Sequence, residues 1–149
     1  MFRSILMGAV AGSRAMTPLA TVANAARLGA LPRDNGAPAL LAHPLVSAGA
    51  LAIAAGELAG DKMKTAPDRI VPAGLAARLF TGGVAGAAYA PRERRVIGAA
   101  LGAAAAVGMS YLTFRLRMAA LRRYGQTASG LVEDALTVGS AVIVARQRT

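Results

Sequence analysis

The chain contains no cysteine and no tryptophan, and it has one histidine among its 149 residues. Without cysteine, the protein has no disulfides, thiolate metal sites or cysteine nucleophiles. The single histidine, His43, argues against a histidine-based zinc cluster and against an ordinary Ser-His-Asp triad. An enzyme is therefore the weakest functional hypothesis, because only Glu57 and Asp61 could serve as acid and base. We expect no metal, no other cofactor and no catalysis.

Acidic residues are also scarce, with seven against seventeen lysines and arginines and a formal charge of +10. The basic residues do not gather on one polar segment but separate the apolar runs, which argues against nucleic-acid binding and favours loops at a lipid surface. Hydrophobic residues make up 55% of the chain and the mean hydropathy is +0.47. These values favour a membrane protein over an alanine-rich soluble helical protein, which is the alternative.

Five apolar stretches predict an all-α bundle of about five short transmembrane helices, in one integral membrane domain of residues 1–149. The predicted spans cover residues 4–31, 36–60, 72–90, 96–114 and 131–145. Pro18 predicts a kink in the first span, and Glu133 and Asp134 would lie in the first turn of the last span, where the helix dipole favours carboxylates. Basic residues are nearly balanced between the two sides, so either the span count is wrong or the protein inserts in both orientations.

Glycine pairs at Gly-x-x-x-Gly spacing occur in four of these stretches, and such pairs let helix backbones approach closely in lipid. Four small-residue faces exceed what five short helices need within one chain, which predicts a homodimer or a larger homo-oligomer. The pairs are Gly8/Gly12, Gly56/Gly60, Gly82/Gly86 and Gly98/Gly102.

The two halves of the chain share a weak pattern of arginines followed by an acidic pair. Arg14 and Arg27 precede Glu57 and Asp61, and Arg115 and Arg117 precede Glu133 and Asp134. Internal repeats of this kind occur in transporters, where the binding site lies at the repeat interface. Chance similarity in a chain rich in alanine and glycine is the alternative.

Ionisable residues within or beside the apolar stretches are the candidate functional residues, because charges at membrane depth normally face a protein interior. Glu57 and Asp61 are four residues apart and would share one helix face, with Arg14 and then Arg78 as their expected partners. The charges could instead form ion pairs that only fix helix register, or lie at solvated span edges. The predicted ligand or ion pathway comprises Arg14, Thr17, Glu57, Asp61, Lys62, Arg78, Glu133 and Asp134.

Several strings of the chain resemble, in the same order, a family of small bacterial integral-membrane proteins known as a domain of unknown function. The strings are Gly-Ser-Arg-Ala-Met-Thr-Pro at residues 12–18, Gly-Glu-Leu-Ala-Gly-Asp-Lys at 56–62, the segment 67–78 and Glu-Asp at 133–134. The resemblance implies a multi-pass protein of the bacterial inner membrane, and it adds weight to Arg14, Glu57, Asp61, Lys62, Arg69, Arg78, Glu133 and Asp134 as functional positions.

The sequence therefore predicts a small membrane channel or transporter for an ion or a small polar solute, with a charged centre. The alternative is a non-catalytic membrane scaffold or an accessory subunit of a larger membrane complex. The expected partners are the lipid bilayer, further copies of the chain and, for the alternative, another membrane protein. Nucleic acid is not an expected partner.

Overall fold

The computed structural model describes residues 1–60, 72–124 and 126–146, with only the backbone for Gly60, Arg117, residues 119–124 and residues 126–134. The described chain is all helical and contains no strand, as the sequence predicted. Short 3₁₀ turns precede α3 and α5, at Ala39–Ala42 and Arg92–Arg94. The α-helices are α1 Phe2–Ser13, α2 Met16–Arg27, α3 Pro44–Gly60, α4 Pro72–Ala88, α5 Arg95–Tyr124 and α6 Gln126–Arg146.

The first predicted span, residues 4–31, is two helices of 12 residues each. At about 1.5 Å per residue each is roughly 18 Å long, too short to cross a bilayer core of roughly 30 Å. The guanidinium of Arg3 lies 4.3 Å from the centre of the Tyr89 ring, and the N–H of Gly36, beyond α2, donates to the carbonyl of Ala90 at 2.9 Å. The chain therefore enters α1 and leaves α2 at the same end of the molecule, so the prediction of one kinked span is wrong.

The last predicted span also differs from the structure. It was expected to begin at residue 131, but α6 begins at Gln126. Glu133 and Asp134 therefore lie in the third turn of α6, and the expected stabilisation of a first-turn carboxylate does not apply to them. The second predicted span begins later than expected, at Pro44, whose missing N–H suits the first turn of a helix. Pro72 opens α4 in the same way, as predicted.

One described helix is long and apolar enough to cross a membrane by length and composition. It covers Arg92–Leu116, has a mean hydropathy of 1.6, and has 22% of its most apolar stretch buried. The other apolar helices are shorter, as in Pro44–Ala59 and Ala135–Arg146. The helix α5 continues to Tyr124 without interruption. The break between α1 and α2 in the first half of the chain therefore has no counterpart in α5.

Glycine pairs join α1, α4 and α5 into the tightest part of the structure. A Cβ atom on Gly8 would meet the backbone of Gly102, and one on Gly82 would lie 2.6 Å from Cβ of Ala106. Likewise, a Cβ on Gly98 would lie 2.7 Å from the carbonyl oxygen of Gly86. Three of the four predicted glycine pairs are thus used within one chain, because only a glycine admits backbones this close.

The fourth pair behaves differently. A Cβ on Gly56 would meet nothing within 4 Å. For Gly60 only the backbone is described. Gly49, seven residues earlier on α3, is equally open. Gly56 is therefore not used for helix packing within the described part of the chain.

Candidate functional site

The candidate site is centred on the break between α1 and α2. Arg14 ends α1 in an extended conformation, with φ −142° and ψ 119°. Pro18 explains the position of the break, because it has no N–H to donate to the carbonyl of Arg14, four residues earlier, and its ring would crowd that carbonyl in a continuous helix. The sequence correctly predicted that Pro18 disturbs the helix, but the disturbance is a complete break at Arg14 and Ala15.

The carboxylate of Glu57 binds the exposed amides at the start of α2. Its Oε1 accepts the N–H of Ala15 and its Oε2 accepts the N–H of Met16, both at 2.9 Å. The first N–H groups of a helix have no partner within the helix, and they carry partial positive charge. Glu57 therefore acts as an N-terminal cap for a helix that is 41 residues away in the sequence.

Arg14 lies directly beside this cap. Its side chain is only 1% exposed, and its Nη1 donates to the backbone carbonyl of Glu57 at 3.4 Å. The sequence predicted Arg14 as the first neighbour of Glu57, and the structure brings the two together. The sequence did not predict that the carboxylate would bind backbone amides.

The break lies within the length of the apolar helix and not beyond its end. The hydroxyl of Ser110 on α5 donates to the carbonyl of Gly12 at 3.3 Å and to that of Ala106 at 2.7 Å. Ser110 falls inside the stretch Arg92–Leu116. This contact joins α5 to the end of α1 and fixes Arg14 near the same level as Ser110.

Two further predicted pathway residues are buried. Thr17, in the first turn of α2, is 6% exposed, and its hydroxyl has no hydrogen-bond partner among the described residues. Arg78 is also 6% exposed on α4, where its carbonyl accepts the hydroxyl of Thr81 at 3.4 Å. Both positions fit the prediction that polar side chains face the interior.

The remaining predicted residues are not brought to the site by any described contact. Asp61 and Lys62 lie outside the described residues, as does Arg69. Glu133 and Asp134 lie in α6, but their side chains are not described. Their membership of the site stays a prediction. The part of the chain that is described has no group of three or more side chains suited to a metal ion.

Sequence reasoning missed the role of Arg3. Its Nη2 donates to the carbonyl of Val144 at 2.8 Å and to that of Ala145 at 3.4 Å, and its guanidinium stacks on Tyr89. These carbonyls lie in the last described turn of α6. Nothing in the local sequence signals this contact, because 141 residues separate Arg3 from Val144.

Comparison of the chain with protein-family models, with curated proteins and with solved structures finds no match. The resemblance to a family of small bacterial membrane proteins accordingly stays a prediction, and the function has to be argued from the site itself.

Proposed function

We propose that this protein is a small multi-pass protein of the bacterial inner membrane that moves an ion or a small polar solute across it. The observation that carries the proposal is the break between α1 and α2. It places the buried Arg14 beside the start of α2, whose amides are capped by the Glu57 carboxylate. Both groups lie at a level within the apolar stretch of α5. Transporters use discontinuous helices in this way, because the free amides of a half-helix bind anionic groups at membrane depth.

The distribution of side chains supports the membrane location. Large apolar residues point outward, as in Leu45, Phe80 and Val96, which are 75%, 64% and 74% exposed. In contrast, most buried side chains are small or polar: alanine is the most frequent residue of the core, and Ser4, Ser47 and Thr137 are among the buried polar residues. A soluble protein rarely exposes so many large apolar residues, whereas small residues inside and large ones facing lipid are typical of membrane helices.

The irregular backbone at Arg14 supports a pathway. Non-helical backbone at membrane depth is tolerated where it is buried in protein or lines a polar cavity. The proposed pathway passes Arg14, Thr17, Glu57 and Arg78. It also includes Asp61, Lys62, Glu133 and Asp134, as predicted from the sequence. In this proposal Glu57 occupies the α2 amides until an ion or solute competes for them.

Flux through the purified protein in liposomes tests the proposal. The matched pair is Glu57→Gln and Glu93→Gln, because Glu93 lies in the 3₁₀ turn Arg92–Arg94 at the surface. Vesicles are assayed for proton, sodium, potassium, chloride and phosphate movement. We expect the wild type and Glu93→Gln to move at least one of these, and Glu57→Gln to lose that flux. Equal flux in all three proteins would exclude Glu57 from the pathway.

The geometry of Glu57 also favours the second candidate, a membrane scaffold or accessory subunit. Both of its carboxylate oxygens are already used by the amides of Ala15 and Met16, which is the role of a structural cap. Purification from native membranes distinguishes the two functions. A partner recovered in constant ratio, together with the absence of flux for every ion tested, would favour the subunit.

We further propose that copies of the chain associate through the outer face of α3. Gly49 and Gly56 are open on that face and Ile53 between them is 57% exposed, so a second helix could approach closely. A cysteine at Ile53 gives a clean test, because the chain has no other cysteine. Disulfide-linked dimers are expected for Ile53→Cys and not for Ile97→Cys on α5, and monomers for both would argue against the proposal.

A further inference from the structure

A groove of about 540 Å³ lies between α2, α3 and α6. Eleven of its fifteen lining residues are alanine, leucine or valine. We call this the α2–α3–α6 groove. It is distinct from the cap at Glu57, although Thr17, which lines the groove, directly follows Met16, whose N–H donates to the Glu57 carboxylate.

The groove has two chemically different ends. Thr17 and Leu58 lie at the inner end, because Glu57 is bound to the start of α2. Leu28 and Arg146 lie at the outer end, where Arg3 holds the last carbonyls of α6. Among the described residues that line the groove, Arg146 is the only charged one. It is exposed, and it makes no hydrogen bond or ion pair with the described residues. The outer end therefore offers an available cation.

The walls between these ends suit a hydrocarbon chain. The hydroxyl of Thr21 donates a hydrogen bond to the carbonyl of Thr17, and the Oδ1 atom of Asn24 accepts a hydrogen bond from Arg27. The hydroxyl of Thr17 is already buried without a partner among the described residues, so a hydrocarbon neighbour adds no desolvation cost there. From Thr17 to Leu28 the groove follows eleven residues of helix, or roughly 16 Å, which matches one leaflet of a hydrocarbon core roughly 30 Å thick.

We propose that the α2–α3–α6 groove binds a single-chain carboxylate amphiphile, a long-chain fatty acid, with its carboxylate on Arg146 and its chain running inward toward Thr17. Charge complementarity selects the occupant, because the described lining residues offer one cation at the mouth of a groove whose other walls are uncharged, which matches one anionic head on one apolar chain. A guanidinium binds a carboxylate through two parallel hydrogen bonds. The inference does not depend on solute flux through the Arg14–Glu57 centre.

Binding of radiolabelled palmitate to the full chain in neutral detergent tests the proposal. We expect one palmitate per chain. Arg146→Gln should weaken binding about tenfold or more, because it removes a charge-assisted hydrogen-bond pair. Ala55→Phe should abolish binding, because Ala55 lines the groove and a phenyl ring would fill it. The matched controls Arg94→Gln and Ala52→Phe change exposed residues that do not line the groove, and they should bind like the wild type.

Competitors complete the test. Hexadecanol, which has the same chain without the charge, should displace palmitate poorly. If hexadecanol competes as well as palmitate, or if Arg146→Gln binds normally, the carboxylate site is wrong. If phosphatidylglycerol competes as well as palmitate, the groove holds an ordinary membrane lipid and the proposal also fails. Since Arg146 is exposed, its variant remains informative even if Ala55→Phe does not fold. Loss of palmitate binding with normal flux would leave the proposed function intact.

Discussion

The carboxylate of Glu57 accepts the backbone N–H of Met16 at 2.9 Å, although 41 residues separate them in the sequence. With its second bond, to Ala15, Glu57 replaces the capping side chain that α2 lacks, because Ala15 is at the N-cap position. The cap therefore ties α3 to the point where the first helix breaks, and it makes the placement of Arg14 depend on a residue in another helix.

Replacing Glu57 with glutamine should lower stability in detergent by about 1–2 kcal/mol. The glutamine amide has one oxygen to accept a hydrogen bond, so one of the two α2 amides loses its partner, and the remaining bond is no longer charge-assisted. Thermal unfolding followed by circular dichroism measures the change, with Glu93→Gln as the control. An unchanged melting temperature for Glu57→Gln would mean that the cap does not stabilise α2.

Alanine at Gly102 should destabilise the protein by roughly 1–3 kcal/mol. Its Cβ would meet the carbonyl of Gly82 and lie 2.9 Å from Cα of Gly86, and neither backbone atom can move independently of its helix. Leucine at Gly82 or Gly98 should be more damaging for the same reason. The control is Gly108→Ala on the same helix, which meets nothing within 4 Å and should be neutral or stabilising. Similar melting temperatures for Gly102→Ala and Gly108→Ala would contradict the packing described.

Arg3→Ala should loosen the end of α6. The substitution removes the hydrogen bonds to the carbonyls of Val144 and Ala145 and the stacking on Tyr89. We expect faster amide hydrogen exchange in the last turns of α6 and a loss of about 1–2 kcal/mol in stability. Arg27→Ala serves as the control, because the side chain of Arg27 bonds only to Asn24 within its own helix among the described residues. Equal exchange rates in both variants would argue against the contact.

Single cysteines test whether α1 and α2 together cross the membrane. Phe2→Cys and Arg33→Cys should react with a membrane-impermeant thiol reagent from the same side, because the chain on both sides of the α1–α2 pair lies near Tyr89 and Ala90. Arg115→Cys, near the other end of the apolar stretch of α5, should react from the opposite side. A continuous span over residues 4–31 would instead place Phe2 and Arg33 on opposite sides, and that labelling pattern would overturn the fold at the break.

Much of the helical framework follows from local sequence. Pro44 and Pro72 mark helix starts by their missing N–H groups, and the uncharged residues 96–114 predict a long apolar helix. Gly82 and Gly98 predict close helix packing, because small residues are what such packing requires. The start of α6 was less predictable, since the predicted span began at residue 131 and the helix begins at Gln126.

For the site, the sequence by itself predicted that Arg14 and Glu57 would lie in an interior with polar partners, because isolated charges are costly away from water. Only the tertiary structure decided that Glu57 would bind the amides of α2, that the chain would turn back at Arg14, and that Arg146 would complete an apolar groove. The physical reason is the distance along the chain over which each interaction acts. Propensity, proline and charge act over a few neighbouring residues, whereas a cap supplied from 41 residues away exists only after the helices have packed.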